Sequence, residues 1–531
     1  MSMLGGELVS HFLSVVLLTA LIAPLVLWRY RRAVLAGMQG KVGVDLPMAP
    51  VAPRAAAQPA ALDAGVEGLA WERRTRRRVF AAAVVATAVP SVLLAVRYLL
   101  LAGQPLTPAH VWIKAGATCS VCVPVFAVLT ATPFRRALPL WILTLVALAA
   151  GGVLVSMLQR PFYGKAPSLD QLLNFVAFFQ LVGLSLYLPM VLGLVTGARR
   201  VRGVAPLTFA GLFVFGLAPL LGQHVSHWLG STETGTRWLL SGVGLETGFV
   251  LMALPFGLLA WQRLKALARA YERKRFSDAQ LLARTWWLLI VAGDAVELVN
   301  VYEGLGPLLS ILAVGAVAYA VFPPLLAWGL RRAYAAEPRP APRTLLLLRV
   351  FGDTSRTEAL FDRVALRWQL FGPVTMIAAP DVAARTVDPG DFLRFALGNI
   401  GSTFVNSQAD LDQRIATLDK APDPDGRYRL NEFCCRDSSW QATVAALMQD
   451  ADAVVMDLRG FTAQRMGCEF ELRQLAQRMR VDQVVLVVDG TTDRTLLEGY
   501  LGVGDSRMLT VAVTRARGAD AAFEALLRAA G

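Results

Sequence analysis

The feature that most constrains the fold is a series of apolar runs, most of them long enough to cross a bilayer. A membrane-spanning helix needs about 20 consecutive apolar residues. Nine runs come close to this length: His11–Trp28, Val79–Leu101, Val111–Thr130, Leu138–Leu158, Leu172–Thr196, Val204–Gly222, Trp238–Trp261, Trp286–Val301 and Leu305–Leu330. Trp286–Val301 is short and carries Asp294 and Glu297, so a re-entrant or interfacial helix is the alternative there. The sequence predicts an α-helical polytopic membrane domain of about nine spans.

The charge of the chain is divided unevenly, and the division predicts orientation. Thr344–Gly531 contains 21 Lys and Arg against 25 Asp and Glu, a net of −4, so the totals of 52 and 39 leave +17 for the rest. Basic loops mark the cytosolic side of a membrane. With nine spans all the strongly basic loops lie on one side, which puts the N-terminus outside a bacterial inner membrane and the C-terminus in the cytosol. The basic balance therefore does not indicate nucleic-acid binding.

The predicted organisation has four parts. Residues 1–32 form the first span, and residues 33–78 form a cytosolic linker whose Pro47–Pro59 stretch is extended or disordered. Residues 79–336 form the polytopic domain. After the proline-rich boundary Glu337–Arg343, residues 343–531 form a cytosolic α/β domain.

Short apolar runs alternate with helical patterns in this last part. The strand-like runs are Leu345–Phe351, Val374–Ala379, Tyr428–Cys434, Ala453–Leu458, Gln483–Val488 and Leu509–Val513. The helical patterns are Thr357–Leu370, Ser438–Asp450, Gly467–Arg480, Asp493–Tyr500 and Ala519–Ala530. The segment Asp391–Asp425 reads as a polar, partly helical insertion. Interleaved strands and helices predict a parallel, doubly wound sheet.

Polar residues collect where the predicted strands end. This candidate ligand-binding set is Arg349, Asp353, Arg436, Asp437, Trp440, Arg459 and Asp489, with Asp457 as a candidate catalytic carboxylate. Open α/β sheets bind ligands at the carboxyl ends of their strands. We therefore expect these side chains to face one crevice, with Glu471 on the helix after the fourth strand. For Asp457 and Asp489 the alternative is that they cap loops, and for Trp440 that it packs against the core.

The α/β domain contains no histidine, so acid–base or nucleophilic chemistry there falls to carboxylates, with hydroxyls and Cys468 as weaker candidates. The sequence has neither a GxGxxG after the first strand nor a GxxxxGK[ST] motif, so dehydrogenase-type dinucleotide binding and P-loop hydrolysis are unsupported. The five cysteines do not form an extracellular disulfide framework. No metal site is predicted.

The stretch ADAVVMDLRG followed by GCEFEL resembles the corresponding element of nucleoside 2-deoxyribosyltransferases, in which a glutamate at a helix start attacks the sugar carbon of an N-glycosidic bond. It is also similar to Toll/interleukin-receptor (TIR) domains, which share a flavodoxin-like sheet and include NAD-cleaving members. LLLLRVFGD and DSSWQATVAALMQDADAVV also resemble TIR-like domains of bacterial membrane proteins.

The resemblance places Glu471 at the catalytic glutamate and Gly467 four residues before it. Gly467 stands where TIR domains carry a tryptophan, and Gln464 and Arg465 stand near the position of a deoxyribosyltransferase aspartate. It implies a flavodoxin-like α/β domain that takes NAD or another nucleotide as substrate and requires no cofactor. A membrane sensor carrying such a domain suits stress or phage-defence signalling.

Apart from the resemblance, the sequence predicts that Glu471 is a surface residue in the first helical turn, where the helix dipole stabilises its negative charge. Two further functions stay open, a non-catalytic membrane signalling module and a transporter with a regulatory soluble domain. The expected partners are a lipid bilayer and a nucleotide, and a homo-oligomer is left open.

Overall fold

The computed structural model describes part of the chain. The described residues are 28–39, 64–103, 106–120, 122, 125–126, 129–130, 258, 262, 266, 269–271, 273–299, 302, 305–349, 354–378, 394–395, 398–436, 438–464, 466–479, 483–501, 509–512 and 518–530. The predicted spans Leu138–Leu158, Leu172–Thr196 and Val204–Gly222 lie outside them, as do Pro47–Pro59 and nearly all of His11–Trp28 and Trp238–Trp261.

Four helices precede the sheet in the described part of the chain after residue 63. They are α1 (Ala64–Leu101), α2 (Pro108–Ser120), α3 (Asp278–Val299) and α4 (Leu305–Ala335). Within these residues, two stretches are long and apolar enough to cross a membrane, Glu67–Leu101 of α1 and Gly306–Ala335 of α4. Helix α1 begins at Ala64 rather than at Val79, because the charged residues before the apolar run continue the helix.

Helix α3 contains most of the predicted segment Trp286–Val301 and is not one of the two stretches that qualify as a membrane span. It has 22 residues and begins at Asp278. The Ser277 hydroxyl accepts a hydrogen bond from the Gln280 backbone N–H at 3.1 Å, and the Gln280 side chain accepts one from the Ser277 N–H at 3.2 Å. This reciprocal capping box satisfies two N–H groups that a helix start would otherwise leave without partners.

The described helices fall into two compact units. The first contains α2, α3, α1 from Ala83 onward and α4 as far as Trp328. Within it, buried Arg97 of α1 forms an ion pair with Asp294 of α3 and donates to the Ile311 carbonyl of α4 at 3.0 Å. The Asp294 carboxylate therefore takes part in helix packing in this unit.

The second unit contains an α/β domain with a six-stranded parallel sheet. Its strands are β1 (Leu345–Arg349), β2 (Val374–Ala378), β3 (Leu430–Cys434), β4 (Ala453–Asp457), β5 (Val484–Val488) and β6 (Leu509–Ala512). Its helices are α5 (Thr354–Trp368), α6 (Gln408–Ala416), α7 (Trp440–Asp450), α8 (Met466–Arg478), α9 (Arg494–Leu501) and α10 (Gly518–Ala530). The insertion contributes α6 and a 3₁₀ turn, Ile400–Thr403.

The parallel, doubly wound sheet is confirmed, and its strand order refines the flavodoxin-like expectation. The order is β3-β2-β1-β4-β5-β6, which is the order of doubly wound dinucleotide-binding sheets. Five of these strands, β2-β1-β4-β5-β6, have the flavodoxin-like order. The sixth strand, β3, is added at the edge beside β2. The sequence predicted the six strands but could not order them, because each apolar run is equally able to pair on either side.

Helices cover both faces of the sheet. On one face, Leu346, Val454 and Leu486 pack in a core with residues of α7 and α8. On the other, Leu347, Val455 and Val485 pack in a core with residues of α5 and α10. Burial on both faces explains why the strands are continuous apolar runs rather than alternating patterns.

Two described segments from before residue 83 also belong to the second unit. In residues 28–39, which are helical, Tyr30 meets Phe395 edge to face at 5.4 Å between ring centroids. The start of α1 contributes Glu72, which accepts hydrogen bonds from Arg367 of α5 at 2.9 and 2.7 Å. Parts of the predicted linker are therefore helical and packed against the α/β domain.

Candidate functional site

The candidate site lies at the carboxyl ends of β1 and β4, the two neighbouring strands from which the chain winds in opposite directions. Arg349 is the last residue of β1 and Asp457 is the last residue of β4, and their Cα atoms are partners in the parallel register. Open α/β sheets bind ligands at this reversal point. Asp353 and Asp437 lie outside the described residues.

Asp457 forms a local ion pair. Its side chain is 1% exposed, and it accepts hydrogen bonds from the Arg459 guanidinium at 2.8 Å (Nε) and 2.6 Å (Nη2). The Arg459 backbone N–H also donates to the same carboxylate at 3.2 Å. Two parallel guanidinium bonds fix the carboxylate in one orientation. The charge of each predicted site residue is therefore balanced by the other.

Asp489 organises the loop after β5. Its carboxylate accepts hydrogen bonds from the Thr491 N–H at 2.9 Å and the Thr491 hydroxyl at 2.5 Å. The same hydroxyl accepts a bond from the Gly460 N–H at 2.9 Å. Gly460 has a φ of +75°, a conformation that glycine adopts without steric cost. Asp489 therefore links the loops after β4 and β5, as its loop-capping alternative describes.

Glu471 is buried in α8 rather than exposed at its start. It is the sixth residue of the helix and is 2% exposed, while Glu469 is the acidic residue of the first turn. Glu471 shares a helical face with Cys468 and Leu475, which pack in the core. The exposed dipole-favouring interpretation therefore fits Glu469, which also forms an ion pair with Arg473 at 2.5 Å.

The two predicted catalytic carboxylates are associated with different faces of the sheet. Strand alternation places Asp457 with Ala453 and Val455, on the face covered by α5 and α10. Glu471 belongs to α8, which covers the opposite face. Both carboxylates belong to the same strand–loop–helix stretch. They belong, however, to the layers of side chains on opposite faces of the sheet.

Arg436 and Trp440 lie after β3 and contact other parts of the chain. The Arg436 guanidinium donates to the Gly37 carbonyl at 3.1 Å and to the Asn406 side chain at 3.1 Å. Trp440 packs edge to face on Phe470 of α8 at 5.2 Å between centroids. These contacts show Trp440 in a packing position. Gly467 is the second residue of α8.

The cysteines form no disulfide, and those of the α/β domain are buried. Burial raises the pKa of the Cys435 thiol to about 12, and a thiol with a raised pKa is a poor nucleophile at neutral pH. In the part of the chain that the structure describes, no three His, Cys, Asp or Glu side chains are grouped to hold a metal ion.

A groove that the sequence did not indicate lies in the second unit. It has a volume of about 770 Å³, and its lining includes Trp71, Arg74, Glu337, Arg343 and Trp368. A smaller cavity of about 440 Å³ lies beside α9. Among the residues that the structure describes, neither lining includes Arg436, Trp440, Asp457, Arg459, Gly467, Glu471 or Asp489. The lining of the groove combines α1, the 337–343 segment and α5, which are far apart in the sequence, so no local sequence pattern indicates it.

Comparison with known protein families, with curated proteins and with solved structures finds no match to this chain.

Proposed function

We propose that the chain is a membrane-anchored protein whose C-terminal α/β domain binds a nucleotide at the carboxyl ends of β1 and β4. The observation that supports this most is the register pairing of Arg349 with Asp457 at the point where the winding of the sheet reverses. Ligands of doubly wound domains bind at this edge. Nucleotide phosphates require arginine side chains or backbone N–H groups, and Arg349 is at this position.

The membrane part of the proposal extends from two apolar helices to a multi-pass arrangement. The two helices Glu67–Leu101 and Gly306–Ala335 support membrane association by their length and composition. Nine spans, with the N-terminus outside and the α/β domain in the cytosol, are the arrangement that puts all strongly basic loops on one side. A C-terminal reporter that is active only outside the cytosol would contradict this orientation.

Binding is tested with the full chain purified in detergent, using NAD, ATP and nucleosides as ligands. We expect micromolar or tighter binding of at least one nucleotide, and we expect Arg349→Gln to weaken it about tenfold, because a hydrogen bond to a charged group contributes about 1.5–3 kcal/mol. Arg528→Gln is the matched control, since Arg528 is exposed on α10. Equal affinity of the two variants for every ligand would contradict the site.

A second function, cleavage of the N-glycosidic bond of NAD or a nucleoside, is favoured by the burial of Glu471. Burying a carboxylate is costly, and such costs are often accepted at functional sites. Cleavage breaks the bond between the sugar C1′ and the base nitrogen, and water supplies the hydroxyl that C1′ receives. The proton from water goes to the base of a nucleoside, or to solvent when nicotinamide leaves NAD as a neutral base. The transition state carries positive charge on the sugar, which a fixed carboxylate stabilises.

A non-catalytic signalling module remains the alternative if a nucleotide binds without turnover. Incubation of the full chain with NAD and nucleosides, followed by product analysis, separates the two functions. A transporter regulated by the soluble domain would instead show nucleotide-dependent flux of a solute in vesicles.

A further inference from the structure

Helices α1 and α4 approach each other closely at one level of the second unit. A Cβ atom added at Gly329 of α4 would lie 2.8 Å from the Cβ of Ala82 of α1. Small residues at a crossing allow two helix backbones to come together. Both helices contain an apolar stretch that qualifies as a membrane span, so this crossing marks a common level on both of them.

Arginines are concentrated on both helices within about two and a half turns of this crossing. Helix α1 carries five of them, Arg73, Arg74, Arg76, Arg77 and Arg78. Helix α4 carries Arg331 and Arg332 directly after Gly329. Because one helical turn takes 3.6 residues, Arg77 and Arg331 both lie within about a turn and a half of the crossing.

Two carboxylates engage only some of these arginines. Glu72 pairs with Arg76 at 2.7 Å, in addition to its contact with Arg367. Glu337 pairs with Arg74 at 3.0 Å and also with Arg78. These pairs hold the start of α1 against the α/β domain and the segment that follows α4.

Arg73 and Arg77 take no part in those pairs. They lie four residues apart on one face of α1, and both side chains are exposed. Among the residues that the structure describes, no carboxylate lies within ion-pair distance of either, and the recorded contact of the Arg73 guanidinium is with the Leu69 carbonyl at 3.3 Å. Phe80, on the apolar side, is 48% exposed. Exposed arginines directly before an apolar run are typical of the cytoplasmic end of a membrane helix.

We propose that Arg73 and Arg77, together with exposed Arg331, bind the headgroups of anionic phospholipids. The inference rests on the membrane placement of the proposed function and adds the lipid class that this surface selects. Arginines beside an anionic membrane surface favour binding by roughly fivefold each, and a guanidinium can bind a phosphate with two hydrogen bonds. Glu72 and Glu337 form ion pairs with Arg74, Arg76 and Arg78. Arg73 and Arg77 are therefore available to bind a ligand.

The test measures retention of added phosphatidylglycerol and phosphatidylcholine by the detergent-purified full chain, using native mass spectrometry. We expect the wild type to retain phosphatidylglycerol preferentially, with a preference that falls as salt is raised. Arg73→Gln combined with Arg77→Gln should reduce this preference roughly 25-fold, since each arginine contributes roughly fivefold. Arg494→Gln combined with Arg528→Gln removes the same charge from exposed sites on α9 and α10, and it should leave the preference unchanged.

An unchanged preference in the Arg73/Arg77 variant would overturn the headgroup assignment. Displacement of phosphatidylglycerol by an equal concentration of soluble glycerol phosphate would also overturn it, because the site would then take free phosphate esters rather than lipid. Failure of the membrane placement itself is distinguishable, since the chain would then leave membranes during alkaline carbonate washing, whatever lipid it retains.

Discussion

The end of β4 and the helix that follows it hold two buried carboxylates in different surroundings. Asp457 is 1% exposed and receives two guanidinium bonds from Arg459, two residues further along the chain. Glu471 is 2% exposed and shares a helical face with Cys468 and Leu475. The two carboxylates are equally buried, so burial alone does not mark a catalytic carboxylate. They differ in position, because Asp457 ends a strand and Glu471 lies inside a helix.

The largest expected effect is on catalysis. If the domain cleaves an N-glycosidic bond, Glu471→Gln should lower the rate roughly 10²–10³-fold, because one transition-state-specific electrostatic contact contributes about 3–4 kcal/mol. Turnover of NAD or a nucleoside by the full chain is the measurement. Glu469→Gln, which alters a partly exposed carboxylate two residues away, should change the rate far less. Equal rates for wild type and Glu471→Gln would remove Glu471 from the mechanism.

The next effect is on stability. Asp457→Ala should lower the free energy of unfolding by about 3 kcal/mol, because it leaves the largely buried Arg459 without its carboxylate. Chemical denaturation of the full chain in detergent, followed by a probe in the α/β domain, measures this. Replacing both residues, as Asp457→Leu with Arg459→Met, should recover most of the loss. A single-variant change below about 0.5 kcal/mol would show that the pair contributes little.

Most of the α/β fold could be predicted from the sequence, and the reasons are local. Runs such as Ala453–Leu458 and Gln483–Val488 are apolar throughout and strand-sized, and the observed strands end within one or two residues of them. The helix starts were harder to predict. Outside that domain, helix α3 begins eight residues before the apolar run that starts at Trp286, at the Ser277–Gln280 capping box. Strand order depends on tertiary packing, which no single run encodes.

A smaller stability effect is expected at Asp489. Asp489→Ala removes the acceptor of the two Thr491 bonds and loosens the connection to Gly460, so we expect a loss of about 1 kcal/mol. Denaturation of the full chain measures it, with Glu498→Ala, an exposed change on α9, as control. A loss as large as that of Asp457→Ala would show that this exposed loop contact is as important as the buried pair.

The candidate site was only partly predictable. The clustering of polar residues at strand ends follows from the parallel sheet, and it places Arg349 beside Asp457. The pairing of Asp457 with Arg459 and the contact of Arg436 with Gly37 could not be read from spacing. The first depends on how the chain turns after β4, and the second joins residues that are far apart in the sequence.

The smallest effect concerns the ion pairs of Glu337 with Arg74 and Arg78, which are partly exposed. The Asp457–Arg459 pair, in contrast, is buried. Hydrogen bonds from Arg78, and after it from Arg74, lower the pKa of Glu337 below its ordinary value of 4.5. The contribution of this contact to stability is therefore complete above pH 4.5. It is lost as the pH falls through the lowered pKa and Glu337 is protonated. Protease sensitivity of Glu337–Arg343 should rise over that interval. Glu337→Gln should remove the pH dependence, and an unchanged profile in that variant would contradict the assignment.

The most direct test of the central claim is photoaffinity labelling of the full chain with an azido-adenine nucleotide, followed by peptide mapping. The account predicts labelling that unlabelled nucleotide suppresses, in peptides that contain Arg349 or the stretch from Asp457 to Gly467, because these lie at the carboxyl ends of β1 and β4. Suppressible labelling confined to the groove beside Trp71 and Arg343, or labelling that unlabelled nucleotide does not suppress, would contradict a nucleotide site at this edge of the sheet.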